Sequence, residues 1–356
     1  MPSKRPSDGW AGFNGLEPGP GSRHDRIRTV LSTINLQRLE EVARLAPFSD
    51  EVYWIAKIQH VHVNSSEADE NRMDLLSEIA TMRTVRARTS IPVPQVFAHD
   101  VSASNEVRYP YVLMEYMDGR VLKSPIASAV PSEFLSKVAK QLAEVLFELH
   151  GLAFDKFGQL WCGESCDEPP EIIPDSDFNA HTSLEWFYRE RQSENAQILI
   201  LQPQDPGWRT ACWVLKIAVP HIIMEPRLHG PFPICHVDLH FGNLLFDDDY
   251  NLKGVIDWDR AQTVPIERFV TSQEFMTFPS GSEEVNNKIL TLRSLVREHL
   301  RHLEETRSPE GKLPTPLLSQ VSGPTLLVGR LVAGLIYGDH VSWEQLVRVY
   351  GTLDLY

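Results

Sequence analysis

The chain has 356 residues, of which 42% are hydrophobic and 23% charged. That balance suits a soluble globular protein and excludes a collagen-like, fully disordered or membrane-embedded one. Asp plus Glu number 48 against 34 Lys plus Arg, for a net charge of −14. A dedicated nucleic-acid binder needs basic surface to displace counterions, so nucleic acid is not an expected partner.

In chain order, residues 1–25 carry five glycines (Gly9, Gly12, Gly15, Gly19 and Gly21) and four prolines, and read as a flexible N-terminal segment. Leu31, Ile34, Leu39, Val42 and Leu45 are spaced for a helix. Glu51 to His60 alternates as a strand, with Trp54 and Ile58 on one face and Ile55 and Lys57 on the other. Polar Asn64 to Asp69 predicts a loop. Leu75, Leu76, Ile79, Met82 and Val85 then form a helical stripe. It must stop before Ile91-Pro92-Val93-Pro94, because a residue preceding proline is pushed out of helical backbone. Tyr111 to Met117 is an apolar strand broken by Asp118-Gly119.

Beyond that break the pattern is helical. Helices are predicted over Phe134–Leu149, Leu184–Leu201, Trp213–Met224, Val285–Leu303 and Leu326–Tyr337. The division that follows is a flexible 1–25, an N-lobe over 26–117 and a C-lobe over 118–356. The fold class is α+β and bilobal, with a small sheet-plus-helix lobe and a larger, mainly helical one. Glu185, Glu190 and Glu194, with the pair Asp175 and Asp177, read as a solvated face, the alternative being an acidic pocket for an amine-bearing substrate. The four cysteines, Cys162, Cys166, Cys212 and Cys235, are too few and scattered for a disulfide framework. The basic N-terminus lacks an apolar run, and Thr325–Gly338 is short and interrupted by Arg330. A cytoplasmic protein with no membrane partner is expected. The oligomeric state is left open.

The stretch that bears chemistry runs from Ile234 to Asp259. Leu244–Phe246 and Leu252–Ile256 flank the polar turn Asp247-Asp248-Asp249-Tyr250-Asn251, a hairpin signature. Closing the hairpin sets Asn243, at the start of its first strand, beside Asp257, at the end of its second. Asp238 lies five residues before Asn243, with His236 and His240 alongside. A carboxylate and an amide oxygen are hard ligands suited to Mg²⁺. A separate carboxylate can orient a hydroxyl and accept its proton. Phosphoryl transfer asks for little more, because its catalysis is mostly positioning and charge neutralisation.

The string His236-Val237-Asp238-Leu239-His240-Phe241-Gly242-Asn243, followed by Val255-Ile256-Asp257-Trp258-Asp259, resembles the catalytic segment of the aminoglycoside phosphotransferase and choline kinase-like family. That family has the protein-kinase-like fold. Trp54-Ile55-Ala56-Lys57-Ile58 resembles its nucleotide-lysine strand, Ser77-Glu78-Ile79 the helix whose glutamate pairs with that lysine, and Val112 to Met117 its hinge strand. The resemblance implies an ATP- and Mg²⁺-dependent phosphotransferase acting on a hydroxyl of a small molecule. It makes Asp238 the catalytic base, Asn243 and Asp257 the metal ligands, and Lys57, held by Glu78, the phosphate contact. The backbone of Glu115, Tyr116 and Met117 would bind adenine. Asp257 is followed by Trp258-Asp259 rather than Phe-Gly, which separates the chain from the protein kinases.

One feature departs from the family. No glycine occurs between Gly21 and Gly119, so the loop that covers the phosphates is expected to be shortened or lost. The alternative reading is therefore a kinase-like binding protein with weak or no catalysis.

Overall fold

The computed structural model describes residues 22–45, 53–59, 65–122, 126–174, 180–201, 203–270 and 282–307. Two helices come first, α1 (Ser22–Thr33) and α2 (Leu36–Leu45). The single helix expected over Leu31–Leu45 is thus divided. Residues 22–25, expected to be loose, are helical, while 1–21 lie outside the described residues. Asn35 makes the break. Its side-chain oxygen accepts from the Arg38 N–H at 3.1 Å and its carbonyl from the Leu39 N–H at 3.1 Å, so it starts a new helix. Its own N–H and side-chain amide donate to the carbonyls of Val107 and Glu106, each at 3.1 Å.

Next come β1 (Trp54–Ile58), α3 (Ser65–Arg88), β2 (Val96–Asp100) and β3 (Tyr111–Glu115). The strands form an antiparallel sheet in the order β1-β3-β2, with Trp54 opposite Glu115 and Ile58 opposite Tyr111. Trp54 and Ile58 pack with Leu39, Val107, Tyr111 and Leu113 on the α2 side. The alternation of a strand then puts Lys57 on the other face, toward α3. α3 buries Leu75, Leu76, Ile79, Met82 and Val85, as their spacing predicts. It begins at Ser65, where a loop was expected. Ser and acidic residues are favoured at a helix start, so the polarity of 65–70 marked a helix beginning rather than a turn.

The rest begins with β4 (Arg120–Val121), α4 (Ile126–Ala129), α5 (Ser132–Gly151), β5 (Ala153–Phe154), β6 (Gly158–Trp161) and β7 (Glu171–Ile173). Two long helices follow, α6 (Ser183–Leu201) and α7 (Pro206–Ile222). Then come β8 (Phe232–Cys235), β9 (Leu244–Phe246), β10 (Leu252–Val255), β11 (Gln262–Thr263), α8 (Ile266–Phe269) and α9 (Glu283–Arg307). α7 starts earlier than the expected Trp213, because Asp205 caps it and Pro206 opens it. The expected helix Leu326–Tyr337 and the pair Asp175 and Asp177 lie outside the described residues. α5 and α9 lie against each other and bury Val138, Leu142, Val145 and Leu149 with Leu292, Val296 and Leu300. The short strands form the sheets β5-β8-β11-β6-β7 and β10-β9-β4. The architecture is α+β and bilobal.

On α6 only Glu185 stays exposed as expected. Glu190 lies 3.8 Å from the Arg268 guanidinium and Glu194 lies 2.5 Å from that of fully buried Arg191. Burial, reinforced by the neighbouring Glu190 charge, pushes the Glu194 carboxyl up to about 7. An amphipathic count could not foresee this, because inward-facing arginines decide it.

Two polar contacts fasten the parts that carry the site. Gln141 on α5 accepts from the Leu252 N–H at 2.6 Å and donates to the Tyr250 carbonyl at 2.8 Å, tying α5 to the β9–β10 turn. Gln141→Leu should strand two backbone groups and lower stability by about 1–3 kcal/mol, read from the urea midpoint. Buried Arg227 donates to His150 Nε2 at 3.1 Å. Burial and the Arg227 charge push His150 down from its ordinary 6.5 to about 4. The unfolded chain therefore takes up a proton that the folded one refuses. Stability should fall as pH drops from about 6.5 to about 4, by about 3 kcal/mol. Urea titrations across that range should show His150→Gln losing this slope, and an unchanged slope would refute it.

Candidate active site

The β9–β10 hairpin forms as its sequence predicts, with Val255 opposite Leu244 and a bulge between Leu252 and Gly254. The Ile256 N–H donates to the Asn243 carbonyl at 3.0 Å, so the pairing runs up to the two polar residues at its open end. Residues on either side of Asp257 are fixed. The Ile256 carbonyl accepts from His236 Nε2 at 2.9 Å, and Trp258 Nε1 donates to the Val255 carbonyl at 2.9 Å. His236 and Trp258 are buried with ring centroids 4.7 Å apart. Burial pushes the His236 pKa down, which keeps a bracing imidazole neutral rather than a proton carrier. Between these anchors Asp257 takes φ +62°, a left-handed conformation that Asp tolerates. Its side chain is thereby turned outward and is 50% exposed.

The small sheet meets it. Lys57 Nζ lies 2.8 Å from both oxygens of Glu78 and 3.1 Å from Asp257 Oδ1. Glu78 is only 3% exposed, whereas the Lys57 side chain is 36% exposed. Burial alone would lower the lysine's pKa, but the Glu78 and Asp257 carboxylates outweigh it and hold the ammonium above its ordinary value. Burial pushes Glu78 up, against the pull of Lys57. An ammonium against two carboxylates stays charged and fixed in place.

Asp238 lies on the segment entering the hairpin with its side chain 61% exposed. Its carbonyl accepts from the side-chain amide of buried Asn243 at 2.9 Å, which ties Asn243 to the segment that carries Asp238. A 3₁₀ turn, Phe241–Asn243, follows His240, whose Nδ1 accepts from the Gly242 N–H at 2.8 Å. The structure thus brings Lys57, Glu78 and Asp257 into direct contact, and Asp238, Asn243 and Asp257 onto one hairpin mouth.

The Glu115 side chain stands apart from that group. It accepts from the Gln95 N–H at 3.0 Å and from Arg86 at 3.1 Å, and Arg86 also donates to the Val93 carbonyl at 2.6 Å. Its own N–H donates to the Gln95 carbonyl at 2.8 Å, so neither its side chain nor its N–H is open to a ligand. The Tyr116 N–H donates to the Tyr53 carbonyl at 3.2 Å. Met117 packs over Gly254, where an added Cβ would come within 3.2 Å of the Met117 Cβ. The hairpin and the Glu115–Met117 strand end are therefore neighbours. Sequence reasoning missed Arg86 and Gln141: Gln141 acts through backbone groups, and Arg86 through the Val93 carbonyl and the distant Glu115 carboxylate, partners that leave no residue pattern. The expected shortening of the phosphate-covering loop falls on residues 46–52, outside the described residues.

The phosphotransferase enzyme family model matches residues 45–268, well over half of the chain. A protein of Zygosaccharomyces rouxii, altered inheritance of mitochondria protein 9, mitochondrial, is 27% identical over 144 residues. That match covers 35% of this chain and 23% of the yeast protein. A subtelomeric hrmA-associated cluster protein of Aspergillus fumigatus is 32% identical over 117 residues, covering 32% of this chain and 23% of that protein. The chain therefore spans less than a quarter of these relatives' length. Among solved structures, the streptomycin–ATP–APH(2″)-IIa ternary complex is 14% identical, with a TM-score of 0.52, over 88% of this chain and 94% of that one. An aminoglycoside phosphotransferase-like protein of Ralstonia eutropha gives a TM-score of 0.51 at 14% identity, over 89% and 94%. At such identity the likeness establishes the fold.

The expected cytoplasmic location is corrected by the named relatives. Those from Z. rouxii, Eremothecium gossypii and Vanderwaltozyma polyspora are mitochondrial proteins by name. The lack of an apolar run argued only against a secretory signal, and mitochondrial presequences are basic, Ser-rich and amphipathic instead. Among the described residues no helix is long and apolar enough to cross a membrane. From the Lys57–Glu78–Asp257 contact, the Asp238–Asn243–Asp257 hairpin mouth and the family match over residues 45–268, the chain belongs to the phosphotransferase enzyme family.

Proposed function

We propose that this protein transfers the γ-phosphoryl group of ATP to a hydroxyl of a small molecule. The observation that supports it most is the placement of Lys57 Nζ between Glu78 and Asp257, facing a hairpin that also carries Asn243 and an open Asp238. That set offers one fixed cation, two oxygen donors and one spare carboxylate, which matches the demands of phosphoryl transfer. A binding protein that had lost catalysis would have no need of an exposed Asp238 on the same hairpin mouth as Asn243 and Asp257.

The donor set fits Mg²⁺. Asn243 and Asp257 supply hard oxygens, and Lys57 already places positive charge against the Asp257 carboxylate. Among the described residues no cluster of three or more His, Cys, Asp or Glu forms a closed metal cage. Mg²⁺ commonly binds through one or two protein ligands plus phosphates. When bound, it would neutralise charge on the transferring phosphate oxygens. Asn243 and Asp257 would hold it, and Lys57, kept charged and oriented by Glu78, would bind the nucleotide phosphates. The backbone of Glu115 to Met117, at the division we place between residues 117 and 118, would bind adenine through groups other than the Glu115 and Tyr116 N–H, which are bonded to the Gln95 and Tyr53 carbonyls. Asp238 would orient the acceptor hydroxyl and take its proton, help of about 10²–10⁴ in rate.

MgATP should raise the melting temperature of the unaltered chain by linkage. Asp238→Asn should keep that rise while ADP release, screened with amino alcohols and sugars as acceptors, falls at least a hundredfold. A chain whose melting temperature is indifferent to millimolar MgATP would contradict the proposal. Lys57→Met should abolish the nucleotide-dependent rise. It should also lower intrinsic stability by about 2 kcal/mol, because the buried Glu78 carboxylate loses its partner; the figure is reduced for the lysine's partial exposure. Adding Glu78→Gln to Lys57→Met should recover most of that loss in urea denaturation.

A further inference from the structure

The proposed base has a neighbour with no role so far. His240 Nε2 lies 3.6 Å from Asp238 Oδ2, and the ring is 30% exposed at the same hairpin mouth. Its other nitrogen is committed. The Gly242 N–H points at Nδ1 from 2.8 Å, so Nδ1 presents a lone pair and the ring hydrogen sits on Nε2, facing the Asp238 carboxylate. The loop is built around this ring. A Cβ on Gly242 would lie 2.5 Å from His240 Cε1 and 3.0 Å from Nδ1, so residue 242 must be glycine for the imidazole to keep its place. The Asn243 N–H donates to the His240 carbonyl at 3.0 Å, and the His240 N–H to the Asp238 carbonyl at 2.8 Å. One residue thus links the base to the metal-side asparagine through its backbone while its side chain faces the base.

We propose that His240 is a positioning residue: the Gly242 N–H fixes its tautomer so that Nε2–H holds the Asp238 carboxylate toward the acceptor hydroxyl. This rests on the phosphotransferase reading. A separation of 3.6 Å is beyond a formed hydrogen bond, but both groups are on the surface, and contacts of this kind close when substrate excludes water. A carboxylate has acceptor sites enough to take Nε2–H on one oxygen and the substrate hydroxyl on the other. His240 itself touches no reacting atom.

Two substitutions separate steering from loop capping. The side chain of His240→Asn can accept the Gly242 N–H from near the Nδ1 position but cannot reach Asp238. The longer side chain of His240→Gln can place an N–H near the Nε2 position but loses the cap. Steady-state ADP release from MgATP with water as the acceptor supplies kcat and KM, and MgATP-dependent thermal shift supplies binding. Positioning predicts that His240→Asn lowers kcat about tenfold at unchanged KM for ATP and unchanged thermal shift, while His240→Gln restores most of kcat. Long-range ¹H–¹⁵N NMR of the unaltered protein should show His240 as the Nε2–H tautomer. The reverse order, with His240→Gln the poorer enzyme, assigns the residue to the loop alone and overturns the proposal. Equal kcat in both variants, or an Nδ1–H tautomer, overturns it too. A loss caused by misfolding would appear as a lowered melting temperature without nucleotide, and Gly242→Ala, which displaces the ring, should then reproduce the His240→Asn loss of kcat if positioning is correct. An unaltered chain that releases no ADP with water or with any of the amino alcohols and sugars would instead sink the phosphotransferase reading, and the positioning role with it.

Discussion

Everything at the site depends on how the chain leaves β10. Ile256 is held by its N–H to Asn243 and by its carbonyl to His236, and Trp258 is sealed in the core with its indole N–H satisfied by Val255. Asp257, between them, has no freedom to fold inward and takes the left-handed backbone that points its carboxylate out. A buried neutral histidine and a buried tryptophan thus position an exposed acid. Rigid apolar packing below sets polar geometry above, which is how a site is held to a fraction of an ångström.

The same logic holds the charge that meets Asp257. Lys57 sits on a strand whose opposite face packs on α2, and Glu78 sits on the buried face of α3, so neither backbone can drift without disturbing a core. Their ion pair is partly shielded from water, where attraction is stronger and screening weaker. Because Glu78 is almost wholly buried, a lysine side chain must accompany it whether or not a nucleotide is present. The pair therefore fixes the ammonium in place, at the cost of holding a carboxylate out of water.

Much of this was legible in the sequence. The hairpin could be read because two short apolar runs flank a polar turn, but the bulge between Leu252 and Gly254 that shifts the register and brings Ile256 opposite Asn243 left no mark in the sequence. The α3 stripe and the Lys57 face followed from period alone. What could not be read depends on backbone groups or on distant partners. Asn35 splits a helix because it reaches Glu106 and Val107. Gln141 fastens the hairpin through carbonyl and amide groups that have no side-chain signature. Glu190 and Glu194 turn inward because Arg191 and Arg268 await them. The edge strand β2 escaped notice because its five residues, Val-Phe-Ala-His-Asp, lack alternation and are all half-buried. The location differs for another reason: lacking a secretory signal excludes one targeting route and not the others.

The central claim is that Asn243 and Asp257 form a two-oxygen cation site completed by nucleotide phosphates. Mn²⁺, an EPR-visible substitute for Mg²⁺, measures it directly in the presence of a non-hydrolysable ATP analogue. Binding should require the nucleotide and should weaken on the order of 10- to 100-fold in Asn243→Leu and in Asp257→Asn alike, given what loss of a ligand or of its support removes. Mn²⁺ affinity that is independent of nucleotide and equal in the unaltered chain and both variants would contradict it.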